Sequence, residues 1–189
     1  IAFQPIVELS SGRAIGFEAL TRGVVPVDPS ELFADASEVG LRRELELAAL
    51  RAAVSRAKEL PPGTFLSVNL SPEVIVSSPL LELLGEAGAS RTVIEVTEHA
   101  PVADYEVLSR AVQPVRALGA RLAVDDAGAG YASLRHVLEL EPDIIKLDVA
   151  VVRDLEADRG AHALASSLLA FAQEMVARMG IVTGKGLAD

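Results

Sequence analysis

Cysteine and tryptophan are absent from the 189 residues, and aromatic side chains make up only 4% of them. Without cysteine there is no disulfide framework and no thiolate metal site. With so few rings, the core must be built from Ala, Val, Leu and Ile, which dominate a composition that is 50% hydrophobic. Positive charge is also scarce: 17 Lys and Arg against 27 Asp and Glu leave a formal net charge of −10. That balance argues against a nucleic-acid polymer held on a broad basic surface. It leaves room for a small anion, because a bound cation reverses the local field. No apolar run approaches the ~20 residues of a membrane span, and no secretory leader opens the chain. A cytoplasmic domain without membrane contact is therefore expected. Ile1 begins inside an apolar stretch, as in a domain cut from a longer protein.

Short apolar runs alternate with longer helical patterns, which predicts α/β architecture. Strands are expected at Ala2–Glu8, Ala14–Thr21, Thr64–Leu70, Thr92–Thr97, Arg121–Asp125, Asp143–Leu147 and Gly180–Thr183. Helical patterns cover Pro29–Ala36, Leu41–Lys58, Ala103–Leu118 and Ala161–Arg178. Ser11-Gly12 reads as a tight turn that makes the first two strands an antiparallel pair. Seven strands interleaved with helices point to a TIM-type (β/α) barrel. Such a barrel usually has eight strands and about 250 residues. A single domain over residues 1–189, lacking the last strand and helix, is the expectation.

The informative residues are polar ones set inside or just after apolar strands: Glu18, Asn69, Glu95, Asp125, Asp126 and Lys146. Burying any of these charges unpaired costs several kcal/mol or forces neutralisation. In a parallel barrel all of them fall near the carboxyl ends of the strands, the rim where barrel enzymes place their chemistry. Each has a plainer reading alone. Asn69 is a candidate cap for a short helix beginning at Ser71-Pro72, and Lys146 a candidate for a simple salt bridge. Together, four carboxylates and an amide on one rim repel unless a cation joins them. Oxygen ligands without cysteine or a strand-end histidine suit Mg²⁺ or Mn²⁺. Two such ions about 4 Å apart can clamp a phosphodiester undergoing hydrolysis. Of the histidines, His136 and His162 fall in helical patterns where a core or surface role is expected, while His99 lies near the rim.

At these residues the chain resembles the EAL family, named for the tripeptide present as Glu18-Ala19-Leu20. The resemblance runs in order through Phe3-Gln4-Pro5-Ile6-Val7, Phe17 to Arg22, Ser67-Val68-Asn69-Leu70-Ser71 and Glu95-Val96-Thr97-Glu98. It continues through Asp125 to Leu134 and Ile145-Lys146-Leu147-Asp148. It implies a modified barrel with an antiparallel strand near its start, hydrolysing cyclic di-GMP to the linear dinucleotide. By the same resemblance Glu18, Asn69, Glu95 and Asp125 bind one metal, and Asp125 and Asp126 a second. Lys146 contacts the attacking water or the phosphate, and Glu98 braces the Asp126–Ser133 loop. Gln4, Leu20 and Arg22 hold the substrate. A homodimer and fused sensory or GGDEF-type domains are further expectations.

The pattern breaks near the end. Lys185 stands where the family places a second-metal glutamate, the following strand with its substrate-binding glutamine is missing, and Val149 replaces a common arginine. Two readings of Lys185 stand side by side. In one, its ammonium pairs with Asp126 and leaves a single metal and a weak or inactive domain that serves as a cyclic di-GMP receptor. In the other, the tail is merely cut short and Lys185 points into solvent. A phosphate-loop reading of Gly180 to Gly186 fails, since Gly186 replaces the required Ser or Thr.

Overall fold

The computed structural model describes residues 1–23, 28–77, 79–96, 102–127, 131–153, 158–175 and 180–183. Glu98, His99 and Lys185, singled out in the sequence, lie outside the described residues. Two strands open the fold, β1 (Ala2–Glu8) and β2 (Arg13–Leu20). Helices α1 (Pro29–Glu38) and α2 (Arg42–Arg56) lead to β3 (Phe65–Leu70). Then come α3 (Pro72–Ile75), α4 (Pro79–Ala87), β4 (Thr92–Val96), α5 (Tyr105–Ala117) and β5 (Arg121–Ala127). Beyond them lie α6 (Tyr131–Leu140), β6 (Ile144–Leu147), α7 (Val149–Val152), α8 (Arg159–Met175) and β7 (Gly180–Thr183).

The strands form one seven-stranded sheet in the order β1 to β7. Among the described strands the β1–β2 pair alone is antiparallel, as the Ser11-Gly12 turn implied, and the rest run parallel. Gly12 takes a φ of 68°, open to glycine without steric cost, and its N–H donates to the Glu8 carbonyl at 2.8 Å. The architecture is α/β, a sheet curled in the manner of a modified TIM-type barrel, with β1 and β7 as its edges among the described residues.

Strand alternation sorts the side chains onto two faces of the sheet. On the outer face Val68, Leu70, Ile94 and Val96 pack under Leu47, Leu50 and Ala53 of α2 and Leu108, Val112 and Val115 of α5. On the inner face Phe65, Val93, Ala123 and Ile144 cluster with Ile6. Each such Val, Leu, Ile or Phe side chain contributes about 1.5–3 kcal/mol on burial. The inner cluster is the floor on which the polar layer stands: Ser67, Glu95, Asp125 and Lys146 each lie two residues further along the same strands, so they share its face. Arg121 covers the Phe65 ring, its guanidinium 4.7 Å from the centroid.

Helix starts follow local chemistry. The Asp28 carboxylate accepts the Ser30 N–H ahead of Pro29, and Asp104 accepts from Glu106 and Val107 at the start of α5. The strand expectations agree with the structure to within two residues. Helices α4 and α7 occupy stretches with no helical assignment, whereas α6 carries the helical pattern read at His136 but begins already at Tyr131, inside the motif read as a loop. His136 of α6 takes the core role of the two expected for it: it is buried, with Nδ1 2.8 Å from the Tyr105 hydroxyl.

Candidate active site at the carboxyl ends of the strands

Glu18, Glu95, Asp125 and Lys146 are each at most 4% exposed, and they converge from β2, β4, β5 and β6. The Lys146 ammonium lies 2.7 Å from Glu95 Oε2, 3.2 Å from Glu18 Oε2 and 3.2 Å from Asp125 Oδ1. Around this centre, Asn69 Nδ2 donates to Glu18 Oε1 at 2.8 Å and Ser67 Oγ donates to Glu95 Oε1 at 2.5 Å. Asn69 is therefore a partner of Glu18, and the helix cap expected of it as an alternative falls to Ser71, whose side chain accepts the Val74 N–H. Ser67 was missed in the sequence, although the alternation Ser67, Asn69 along β3 places both on the inner face.

Charge governs this layer. Burial pushes the Glu95 carboxyl up; Lys146 opposes that, Glu18 and Asp125 add to it, and the result is about 7. Burial disfavours the Lys146 ammonium, but Glu95, Asp125 and Glu18 outweigh it and hold its pKa above the ordinary lysine value. Three carboxylates against one ammonium leave a formal charge of −2, which matches one divalent cation. Glu18, Glu95 and Asp125 each bring one oxygen to within 4.8 Å of the others, so the donor set fits a hard, oxygen-seeking metal.

Asp126 follows with a φ of 53°, in the left-handed region. Such a conformation costs an ordinary residue about 1–2 kcal/mol, and Asp and Asn tolerate it best. The β5–β6 register shifts between Val124 and Ala127, and the strand alternation breaks at the same place. Asp125 and Asp126, which a regular strand would send to opposite faces, therefore both line one cavity. Asp125 Oδ1 also accepts the Asp126 N–H at 2.9 Å.

That cavity has a volume of about 460 Å³ and runs from Glu18, Asn69 and the Asp pair out to Phe33, Arg42 and Glu46 on α1 and α2. Leu20 and Arg22 line it, and the exposed Arg22 guanidinium donates to the Thr21 carbonyl at 3.0 Å. Gln4 is half-buried and directly opposite Glu18 in the β1–β2 register, hence on the same face.

These motifs are those of a known family. A family model described as the EAL domain matches residues 1–183. The chain belongs to the EAL-domain family. It is 32% identical to Uncharacterized protein y4lL of Sinorhizobium fredii, over 97% of this chain and 23% of that protein. It is 28% identical to Cyclic di-GMP phosphodiesterase PA2567 of Pseudomonas aeruginosa, over 93% of this chain and 32% of that one. Among solved structures, a manganese and cyclic di-GMP complex of Klebsiella pneumoniae BlrP1 superposes with a TM-score of 0.81 at 31% identity. That match covers 95% of this chain and 47% of BlrP1. The EAL domain described here thus spans under a third of these two curated relatives.

Proposed function

We propose that this EAL domain is the catalytic part of a cyclic di-GMP phosphodiesterase that opens the cyclic dinucleotide to linear pGpG. The observation that carries this reading is the buried cage of Glu18, Glu95 and Asp125 around Lys146, opening on a cavity beside the strained Asp126. The named relative PA2567 and the cyclic di-GMP complex of BlrP1 lend the substrate.

Glu18, Asn69, Glu95 and Asp125 are the residues that would hold a first Mg²⁺ or Mn²⁺, with Asp125 and Asp126 serving a second. Such an ion supplies Lewis acidity and a water of lowered pKa when bound. The remaining work falls to the chain. Gln4, Leu20 and Arg22 orient the substrate, Arg22 as a planar donor to phosphate. Lys146, permanently charged at neutral pH, steadies the growing negative charge on the phosphoryl oxygens and directs the attacking water. The water adds to phosphorus in line, one ester P–O bond breaks, and the freed 3′-oxygen takes a proton. Ser67 and Asn69 keep the Glu95 and Glu18 carboxylates from turning away. Glu98 is assigned the bracing of the Asp126–Ser133 segment. On the same reading, residues 1–189 form one cytoplasmic domain of a longer protein with fused sensory or GGDEF-type domains, and it works as a homodimer.

Lys185 favours a second reading, because it reverses the charge of the glutamate that the family uses for the second metal. In that case the domain is a cyclic di-GMP receptor with weak or no turnover. Incubation of the 189-residue chain with cyclic di-GMP and Mn²⁺ separates the two. Linear product that disappears with chelator supports the phosphodiesterase. Saturable binding without product supports the receptor, and absence of binding sinks both.

A further inference from the structure

Glu46 is a buried carboxylate that the cage does not use. It lies on α2, is 5% exposed, and lines the same cavity as Glu18, Asn69 and Asp125. Both of its oxygens are engaged. Oε2 accepts the backbone N–H of Ser71 at 2.8 Å, and Oε1 accepts from Arg42 Nε at 2.9 Å. Ser71 is the first residue beyond β3, two positions after Asn69, which holds Glu18 at 2.8 Å. Arg42 is 41% exposed at its side chain and stands on the cavity wall with its guanidinium 5.8 Å from the Phe33 ring centroid. One carboxylate therefore links a cationic donor on the wall to the strand end that carries part of the cage.

An apolar side chain would close α2 on β3 without the desolvation that a buried carboxylate suffers. The same α2 face does so at Leu47, Leu50 and Ala53, and the polar contact is placed at the site end of β3. We propose that Glu46 is a positioning residue that fixes the Asn69–Ser71 strand end and the Arg42 guanidinium relative to each other, so that both meet one anionic ligand. The proposal rests on the cyclic di-GMP reading above. Arg42 then engages a phosphate oxygen or a purine edge of the ligand, for which a guanidinium is suited.

The test is calorimetric binding of cyclic di-GMP to the full chain with Ca²⁺, the ion of another BlrP1 complex, with thermal unfolding of each variant alongside. Glu46→Ala should weaken binding roughly tenfold, and Glu46→Gln, which keeps a carbonyl acceptor for Ser71 N–H, only about threefold. In the Arg42→Ala/Asn69→Ala background, Glu46→Ala should cost less than about twofold more, because it acts through those two residues. A full tenfold loss in that background overturns the proposal. So does an unchanged affinity in Glu46→Ala accompanied by a lower Tm, which is the mark of a purely structural contact. If Glu46→Ala does not fold, Glu46→Gln decides: a loss that vanishes in Arg42→Ala supports the role, and a loss that persists, or no loss, overturns it. Wild type that binds no cyclic di-GMP removes the functional reading itself, a result distinct from the variants behaving alike.

Discussion

Lys146 is the residue on which the whole polar layer turns. Its ammonium faces Glu95, Glu18 and Asp125, and all four groups are out of water. Removing one partner of a buried ion network costs more than the network itself is worth, because the remaining charges are stranded. Lys146→Met should therefore destabilise the metal-free protein by about 3 kcal/mol. It should also make stability more responsive to Mn²⁺, which then meets three carboxylates with no competing cation. Urea unfolding in chelator and in Mn²⁺ checks both halves. A variant as stable as wild type in chelator would mean that the carboxylates take up protons at little cost. Asp126 shows the complementary case, in which the backbone bears the strain: its left-handed φ of 53° is what brings a second carboxylate to the cavity. That conformation was not legible from the Asp-Asp doublet, since alternation along a regular strand would have separated the two side chains.

At the scale of elements, the strands place the site and the inner cluster of Phe65, Val93, Ala123 and Ile144 supports it. Gly16 of β2 sits against this floor, and a Cβ there would stand 2.5 Å from atoms of the Phe65 ring. Phe65 is itself buried and covered by Arg121, so the ring has little room to withdraw. Gly16→Ala should destabilise the fold by about 1–3 kcal/mol, as overpacked cores do. It should also lower ligand affinity, because Glu18 lies two residues along the same strand. Chemical denaturation and calorimetry on the same samples test the pair of effects, and a neutral variant would show that the floor yields. The strands and the cage were readable because a charge inside an apolar run is costly and therefore conspicuous. Glu46 was not, since in Arg42-Arg43-Glu44-Leu45-Glu46 it looks like any solvated helix charge until α2 is laid over the end of β3. The start of helix α6 escaped for a related reason: Tyr131 follows directly on the glycines of the Asp125–Gly130 motif.

Over the whole molecule, the net charge of −10 sets how a cyclic dinucleotide, itself a dianion, approaches. Like charges repel at distances within the Debye length, about 30 Å at 0.01 M salt and about 10 Å at 0.1 M. The cavity opposes this field with Arg22 and Arg42 on its wall. Those contacts are short-ranged and govern the bound state, whereas the net charge governs the encounter. Raising ionic strength from 0.01 to 0.1 M should therefore speed association a few-fold. Saturating Mn²⁺ should flatten the dependence by neutralising the acidic end of the site. Stopped-flow measurement with a fluorescent cyclic di-GMP analogue gives the slope directly. A rate that falls with salt would mean that the field at the cavity mouth is positive, and that the arginine wall steers the ligand as well as holding it.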